Sequence, residues 1–375
     1  MSPLSSMNLL AWLEEVALPL WWARGADAAG GGFFEALDAE AKPVLGARRA
    51  RVVCRQIYVY ASAWTHLGRP EWREAAQHGV DSLNRHFLRV DGLIAPAVTA
   101  EHVALAGSPM LYDQAFCLLA LASAAKAGLE PGMCEDQALR LADRLLAEWR
   151  HPAGGFVENQ EERFQTNPHM HLLEAVMAWA EISPKPIWSA IGAQIVELAR
   201  DRFIDSASGA LREFFDEHWA NGRRVEPGHQ FEWSWLLSRW ARAHEDSGLA
   251  ETARRLYGIG RNHGIDEARG LAFDALTTDL APVNLTARLW PQTEWLKAAT
   301  LQWAGSADPE SRAYFETEIH RAAQALGQYL DRPGPGLWLD KIKADGAVVD
   351  EPSPASSFYH IACALFELKA RGVSL

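Results

Sequence analysis

Ile361-Ala362-Cys363-Ala364-Leu365-Phe366, near the end of the 375-residue sequence, is apolar at every position. It is the middle of Phe358–Ala370, which reads as a helix apolar nearly all round, and such helices are buried. Reading back along the chain, Arg55–Leu67, Asp113–Ala127, His171–Ile182, Glu232–Ala243 and Glu294–Ala304 have the same character. The six segments start at 55, 113, 171, 232, 294 and 358. Their spacing of about sixty residues is the length of one helix pair with its loops.

Between them lie Glu71–Phe87, Glu135–Trp149, Ile187–Arg202, Ala250–Gly260 and Glu310–Leu330, with apolar residues at three- and four-residue intervals and charges opposite. These read as amphipathic outer helices. Met1–Trp22 also reads as a helix; Glu14 and Glu15 interrupt its apolar pattern and no basic start precedes it, so it is not read as a signal peptide. Gly and Pro clusters such as Gly30-Gly31-Gly32, Pro152-Ala153-Gly154-Gly155 and Pro333-Gly334-Pro335-Gly336 mark the loops. Six pairs in series form either an open solenoid or a closed ring. An open array needs terminal units with a polar outer face, yet Ile361–Phe366 is as apolar as the central segments. The expected fold is therefore all-α: a closed ring of six inner and six outer helices, with the inner ones parallel. Short strands are confined to loops, for example around Gly31–Leu37, and residues 1–375 form one domain.

Hydrophobic residues make up 49% and charged residues 22%, which is the composition of a folded chain rather than a disordered one. The net charge of −12 opposes binding to phosphate backbones, so no nucleic acid partner is expected. No stretch reaches about twenty apolar residues, so no membrane span is expected. Cys54, Cys117, Cys134 and Cys363 are scattered, with neither metal-ligand spacing nor the density of a disulfide framework. They fit a reducing, cytoplasmic compartment. Helical barrels often pair, which leaves a homodimer open.

Each inner segment opens with polar residues: Arg55-Gln56, Tyr112-Asp113-Gln114, Asn167 with His169, His171 and Glu174, His229-Gln230 with Glu232, Gln292 with Glu294, and Tyr359-His360. In parallel helices these ends meet at one mouth, forming a concave pocket on a rigid apolar scaffold. Helix N-termini add free N–H groups and positive dipole ends there. Most of the sixteen Trp fill a wide barrel, but Trp21, Trp22, Trp233, Trp235, Trp290 and Trp295 lie near segments facing the mouth. Trp290, one residue before Pro291, is the best placed to stack on a sugar ring.

Several of these segments carry a resemblance to a known family. They are Gly31-Gly32-Phe33 with Asp38, Arg55-Gln56, Tyr112-Asp113-Gln114-Ala115-Phe116, Asn167-Pro168-His169-Met170-His171-Leu172-Leu173-Glu174-Ala175, Pro227-Gly228-His229-Gln230-Phe231-Glu232, Trp290-Pro291-Gln292-Thr293-Glu294 and Ser356-Ser357-Phe358-Tyr359-His360. In this order the chain resembles the N-acylglucosamine 2-epimerase family, which includes mannose isomerases, sulfoquinovose isomerases and cellobiose 2-epimerases. The resemblance implies an (α/α)6 barrel and a cofactor-free sugar isomerase or epimerase. It further implies that His229 and His360 are the acid/base pair and that His171 contacts the substrate oxygen with Asn167 beside it. Arg55 then binds the sugar, and Glu232 orients the acid/base histidine one turn away. Tyr112, Glu174, Trp290 and Glu294 complete the expected substrate-binding set.

These residue types suit proton transfer beside a carbonyl. The reaction needs a base, a proton donor and stabilisation of an enediolate oxygen. Histidine, with an ordinary pKa of about 6.5, serves as either base or acid at neutral pH. Arg55 offers fixed positive charge to the oxyanion. Glu232 follows His229 by three residues and Glu174 follows His171 by three, which places each pair on one helical face. One base moving a proton between C1 and C2 gives aldose–ketose isomerisation, and two bases on opposite faces give 2-epimerisation. The compact chain, without insertions for a second sugar unit, favours isomerisation of a free monosaccharide such as mannose to fructose. The His-x-x-Glu pairs lack the Glu-x-x-His pattern of helical di-metal sites, so no metal is expected. His169 reads as structural, and Asp113 equally as a helix-start charge or a catalytic carboxylate. An inverting glycoside hydrolase using Glu174, Glu232 or Glu294, and a non-catalytic sugar-binding protein, are the weaker alternatives.

Overall fold

A computed structural model describes residues 8–159, 161–373 and 375. Twelve helices form among them. Six are inner: α2 (Ala50–Leu67), α4 (Leu111–Lys126), α6 (Thr166–Ala180), α8 (Pro227–His244), α10 (Leu289–Gly305) and α12 (Phe358–Ala370). Six are outer: α1 (9–25), α3 (70–87), α5 (Pro131–Glu148), α7 (186–203), α9 (Ser247–His263) and α11 (Pro309–Gly327), of which α1, α3 and α7 finish in a π-helical turn. Residues 1–7 of the expected N-terminal helix lie outside the described residues. Proline opens α3, α5, α7, α8 and α11, where its missing N–H costs nothing. Asp246 and Asp308 cap α9 and α11 by accepting the Leu249 and Ser311 amides at 2.9 and 2.8 Å.

Each inner helix packs on the next, and α12 returns to pack on α2, so the inner ring is closed. The fold is the (α/α)6 barrel, with strands only two or three residues long. The core runs between the two rings, and Trp12, Trp72, Trp179, Trp188 and Trp233 are fully buried in it. Trp21, expected near the mouth, stacks on Trp338 at 4.6 Å instead.

The two ends of the barrel differ in their connections. Inner-to-outer turns are short, such as 68–69 and 245–246, whereas the outer-to-inner loops 26–49, 88–110, 149–165, 204–226, 264–288 and 328–357 are long. All six long loops therefore sit over the inner helix N-termini. They bind one another around the rim. Ala36–Leu37 pairs with Ser353–Pro354, Arg48–Arg49 with Ala97–Val98, and Ala287–Arg288 with Lys341–Ile342. Bridges join Gln165 to Phe214 and Val225 to Leu276. The remaining step is made by Asn159, whose Nδ2 donates to Pro109 O at 3.3 Å; beside it, the Glu158 carboxylate accepts the Leu111 and Tyr112 amides at 2.7 and 2.9 Å and so caps α4.

The glutamines at the inner helix starts do not face the mouth as expected. Gln114, Gln230 and Gln292 each turn outward and use the side-chain amide to bind both the N–H and C=O of one loop residue, Ile94, Leu211 and Ala272 respectively. Gln56 donates to Ala355 O. Each is the fourth residue of its helix in α4, α8 and α10, on the side facing the loop, and a buried loop backbone must be paired. His169, fourth in α6, does the same work by accepting the Phe156 amide at 2.9 Å.

Candidate active site

The inner helix N-termini enclose a cavity of about 270 Å³ lined by Arg55, Tyr112, Asn167, His171, Glu226, His229, Glu232, Arg288, Trp290, Ser356, Ser357 and His360. Depth follows helix position, at about 1.5 Å per residue. Tyr112, Asn167, His229, Trp290 and His360 are second or third residues of their helices and ring the cavity. His171 and Glu232 lie one turn lower and form its floor. Glu174, Glu294 and Lys297 do not line the cavity and are buried beneath it.

His229 and His360 lie on either side of Trp290, with ring centroids 5.0 and 5.8 Å from the indole. Their surroundings have opposite charge. The His229 Nδ1 lies 2.9 Å from Glu213 Oε2 and 3.6 Å from Glu226 Oε2. Burial pushes its pKa down, but the negative charges of Glu213, Glu226 and Glu232 outweigh burial and hold it up at about 10. His360 donates from Nδ1 to Glu294 Oε1 at 2.9 Å. Burial, followed by the positive charges of Arg55 and Lys297, drives its pKa well below the ordinary value. His229 is therefore an imidazolium at neutral pH. His360 is a neutral imidazole whose free Nε2 is left for the cavity.

His171 has Nδ1 3.5 Å from Glu174 Oε2 and 4.0 Å from Glu232 Oε1. Burial lowers it to about 4, so it is neutral. Glu174 is held at about 2 despite burial, because His171, Lys297 and the Tyr359 hydroxyl, which donates to Oε2, favour the carboxylate. Glu232 moves the other way: burial and the nearby Glu294 raise it to about 8. Neither of its oxygens has a hydrogen-bond partner in the protein. Arg55 donates to Tyr112 Oη at 2.7 Å and Ser356 O at 3.3 Å, with its guanidinium 4.3 Å from the Phe116 ring. The buried Asn167 Oδ1 has no partner in the protein, which leaves it open to a ligand donor.

Three expectations are corrected. Glu232 does not hold His229; Glu213, from loop 204–226, does, because the two residues of the helix pair lie at different depths. Glu174 and Glu294 do not line the cavity: Glu174 lies a turn below His171 on α6, Glu294 is covered by His360, and they stand behind those two histidines instead. Asp113 is not a wall of the cavity, so the catalytic reading falls; it is a charge in the first turn of α4, the other reading, and pairs with Arg51 at 2.7 Å. Six residues at the site carry no role in the sequence reading: Glu213, Glu226, Arg288, Lys297, Ser356 and Ser357. Lys297 left a signal, a lysine inside an otherwise apolar inner segment three residues after Glu294. Glu213 left none, as it comes from an irregular loop.

Carboxylates and imidazoles also crowd together at and beneath the floor. His171, Glu174 and Glu232, and likewise Glu232, Glu294 and His360, bring three ligand-type atoms within 4.8 Å. Lys297 already places an ammonium among them, with Nζ 2.6 Å from Glu294 Oε2 and 4.0 Å from Glu232 Oε1. The positive charge these carboxylates call for is thus supplied by the chain itself.

Comparison with known proteins agrees with this architecture. The chain is 42% identical to a mannose-6-phosphate isomerase of Rhizobium meliloti (strain 1021), over 98% of this chain and 97% of that protein. It is 25% identical to a cellobiose 2-epimerase of Bacteroides fragilis, over 88% of this chain and 89% of that protein. Its fold matches a crystal structure of D-mannose isomerase with a TM-score of 0.89 at 20% identity, covering 99% and 100% of the two chains. Residues 32–364 match the family described as N-acylglucosamine 2-epimerase (GlcNAc 2-epimerase), and the chain belongs to that family.

Proposed function

We propose that the protein is a cytoplasmic, single-domain sugar isomerase that interconverts an aldose and a ketose of a free monosaccharide, D-mannose and D-fructose first, without a cofactor. The observation that carries this reading is the placement of one protonated and one neutral imidazole beside one indole in one cavity. In the open-chain aldose, His360 Nε2 takes the proton from C2 while the His229 imidazolium protonates O1, which gives an enediol. His229 then accepts the O2 proton as the C2 carbonyl forms, and His360 returns its proton to C1. Each histidine ends the cycle as it began. Arg55 stabilises charge developing on the oxygens, and Asn167 and Tyr112 fix the hydroxyls.

The fixed charges favour isomerisation over 2-epimerisation. An epimerase with bases on both faces finishes with the proton on the other histidine. Here that exchanged state puts a neutral imidazole beside Glu213 and Glu226, and an imidazolium beside Arg55 and Lys297. The isomerase cycle passes through that state only with the enediol bound and ends with both histidines as they began, so no separate step is needed to reset them. The cavity volume, at the lower end of the roughly 300–1,000 Å³ of small-molecule sites, suits one hexose.

An uncharged sugar fits better than a phosphorylated one, although the Rhizobium relative is named for mannose 6-phosphate. The cations at the rim already have carboxylate partners: Arg288 with Asp340 at 3.3 Å, Arg224 with Glu226 at 2.8 Å and Lys341 with Glu351 at 3.0 Å. NMR in heavy water with mannose, fructose, glucose, N-acetylglucosamine and mannose 6-phosphate tests the reading. The expected result is mannose–fructose conversion with deuterium entering at the exchanged carbon. Conversion of mannose only to glucose, or turnover of mannose 6-phosphate alone, overturns it.

A further inference from the structure

A lysine occupies the driest part of the barrel. Lys297 is fully buried, three residues after Glu294 on α10, and is surrounded by inner-helix groups that other elements supply. Its Nζ lies 2.6 Å from Glu294 Oε2, 4.0 Å from Glu232 Oε1 and 4.2 Å from the Trp235 ring centroid. Glu294 uses its other oxygen, Oε1, to accept the Nδ1 hydrogen of His360 at 2.9 Å. His360, Glu294 and Lys297 therefore form one line from the cavity wall into the core, joined through the two oxygens of a single carboxylate.

We propose that Lys297 is a positioning residue for His360: its ammonium keeps Glu294 as a carboxylate, and that carboxylate fixes the His360 tautomer with Nδ1–H inward and Nε2 free toward the substrate. An isolated ammonium in an apolar barrel is costly and survives only when paired. A carboxylate in the same place faces the same cost, and two further carboxyl groups, Glu174 and Glu232, press on it. Burial raises the pKa of Glu294, and Lys297 draws it back. Without the ammonium, Glu294 takes up a proton, and a carboxylic acid either donates to or accepts from an imidazole nitrogen. The single tautomer is then lost. Arg55, His171 and Tyr359 also face His360, but none of them contacts the far oxygen of Glu294.

This proposal rests on reading His360 as the base, so one of its measurements is independent of turnover. Histidine-labelled protein is examined by nitrogen NMR with Lys297→Met, Lys297→Arg and the native chain, and kcat and KM are measured for mannose. The native protein is expected to show His360 as the pure Nδ1–H tautomer. Lys297→Met is expected to show a mixture, with kcat down about tenfold to a hundredfold and KM little changed, the loss typical of removing a partner that orients a working imidazole. Lys297→Arg is expected to restore the tautomer and most of kcat. A folded Lys297→Met with the native tautomer overturns the proposal, as does a Lys297→Arg as impaired as Lys297→Met. If Lys297→Met does not fold, Lys297→Gln, which keeps a donor to Glu294 but no charge, takes its place with the same two outcomes. If mannose is not a substrate, the tautomer still decides the role of Lys297, and only the functional reading falls.

Discussion

A Cβ atom at position 228 would stand 2.4 Å from the indole of Trp290, so the absence of a side chain at Gly228 is what lets that ring lie between His229 and His360. The glycine is the second residue of α8 and its neighbour Pro227 sets the helix start. Backbone freedom is not the reason for it, since it is helical; the reason is close approach. Gly228→Ala is expected to push the indole toward the cavity while leaving the barrel intact. Because small misplacement at a reacting centre costs up to about a hundredfold in rate, kcat should fall by about tenfold or more with little change in melting temperature. Steady-state kinetics beside a thermal melt check it, and an unchanged kcat shows that the position of the Trp290 ring does not matter to turnover.

In the proposed cycle the two histidines set the pH profile. His229 must be charged, and its pKa is raised, so its contribution is full below the ordinary histidine range and is lost as pH rises through about 10. His360 must be neutral, and its pKa is depressed, so its contribution is lost only as pH falls well below 6.5. The plot of kcat/KM against pH should be a wide bell with an alkaline limb near 10. Glu213→Gln removes the nearest negative charge, which makes the imidazolium harder to hold. Its alkaline limb should move down by at least about one pH unit, equivalent to about 1.4 kcal/mol of lost interaction. An alkaline limb that stays in place assigns it to another group.

The sequence carried the ring but not the second layer of the site. Sixty-residue spacing and apolar runs such as Ile361–Phe366 announce themselves because a buried helix must be apolar on nearly all faces. The rim residues His229, His360, His171, Arg55, Tyr112, Asn167 and Trp290 were legible because polar groups at the start of apolar helices have nowhere else to go, and all seven line one cavity. Spacing failed for partners. His229 and Glu232 share a helical face, yet a difference of three residues is also a difference in depth, and the carboxylate that meets His229 comes from Glu213 in a loop with no period to read. The glutamines misled for a related reason: a polar residue near a helix start serves a buried loop backbone as readily as a ligand.

Gln230 shows what that service is worth. Its amide holds both the N–H and the C=O of Leu211, at 3.0 and 2.9 Å, two residues before Glu213. Gln230→Leu keeps the volume but leaves two buried backbone groups unpaired, at a cost of about 1–3 kcal/mol each. Urea unfolding should show the loss. Because loop 204–226 also delivers Glu213, the alkaline limb of the pH profile should shift down as in Glu213→Gln, by a smaller amount. A stability loss with an unmoved pH profile would separate the clasp from the catalytic loop.

Glu158, beside the link between the second and third rim loops, ties the third loop to the start of α4. It is buried, and its two oxygens accept the Leu111 and Tyr112 amides, with the Asn159 amide also on Oε1 at 2.6 Å. A carboxylate at a helix N-terminus also meets the positive end of the α4 dipole. Glu158→Ala leaves these donors without a side-chain partner and should destabilise the fold by about 1–3 kcal/mol. Glu158→Gln keeps one acceptor oxygen and should lose less. The functional consequence travels through Tyr112, whose hydroxyl accepts from Arg55 at 2.7 Å. Loosening the first turn of α4 moves the pair proposed to hold the sugar without touching either histidine. The expected signature is therefore a raised KM for the sugar, several times that of the native protein, with kcat and both pH limbs nearly unchanged. A fall in kcat at constant KM would instead place Tyr112 and Arg55 in the chemical step.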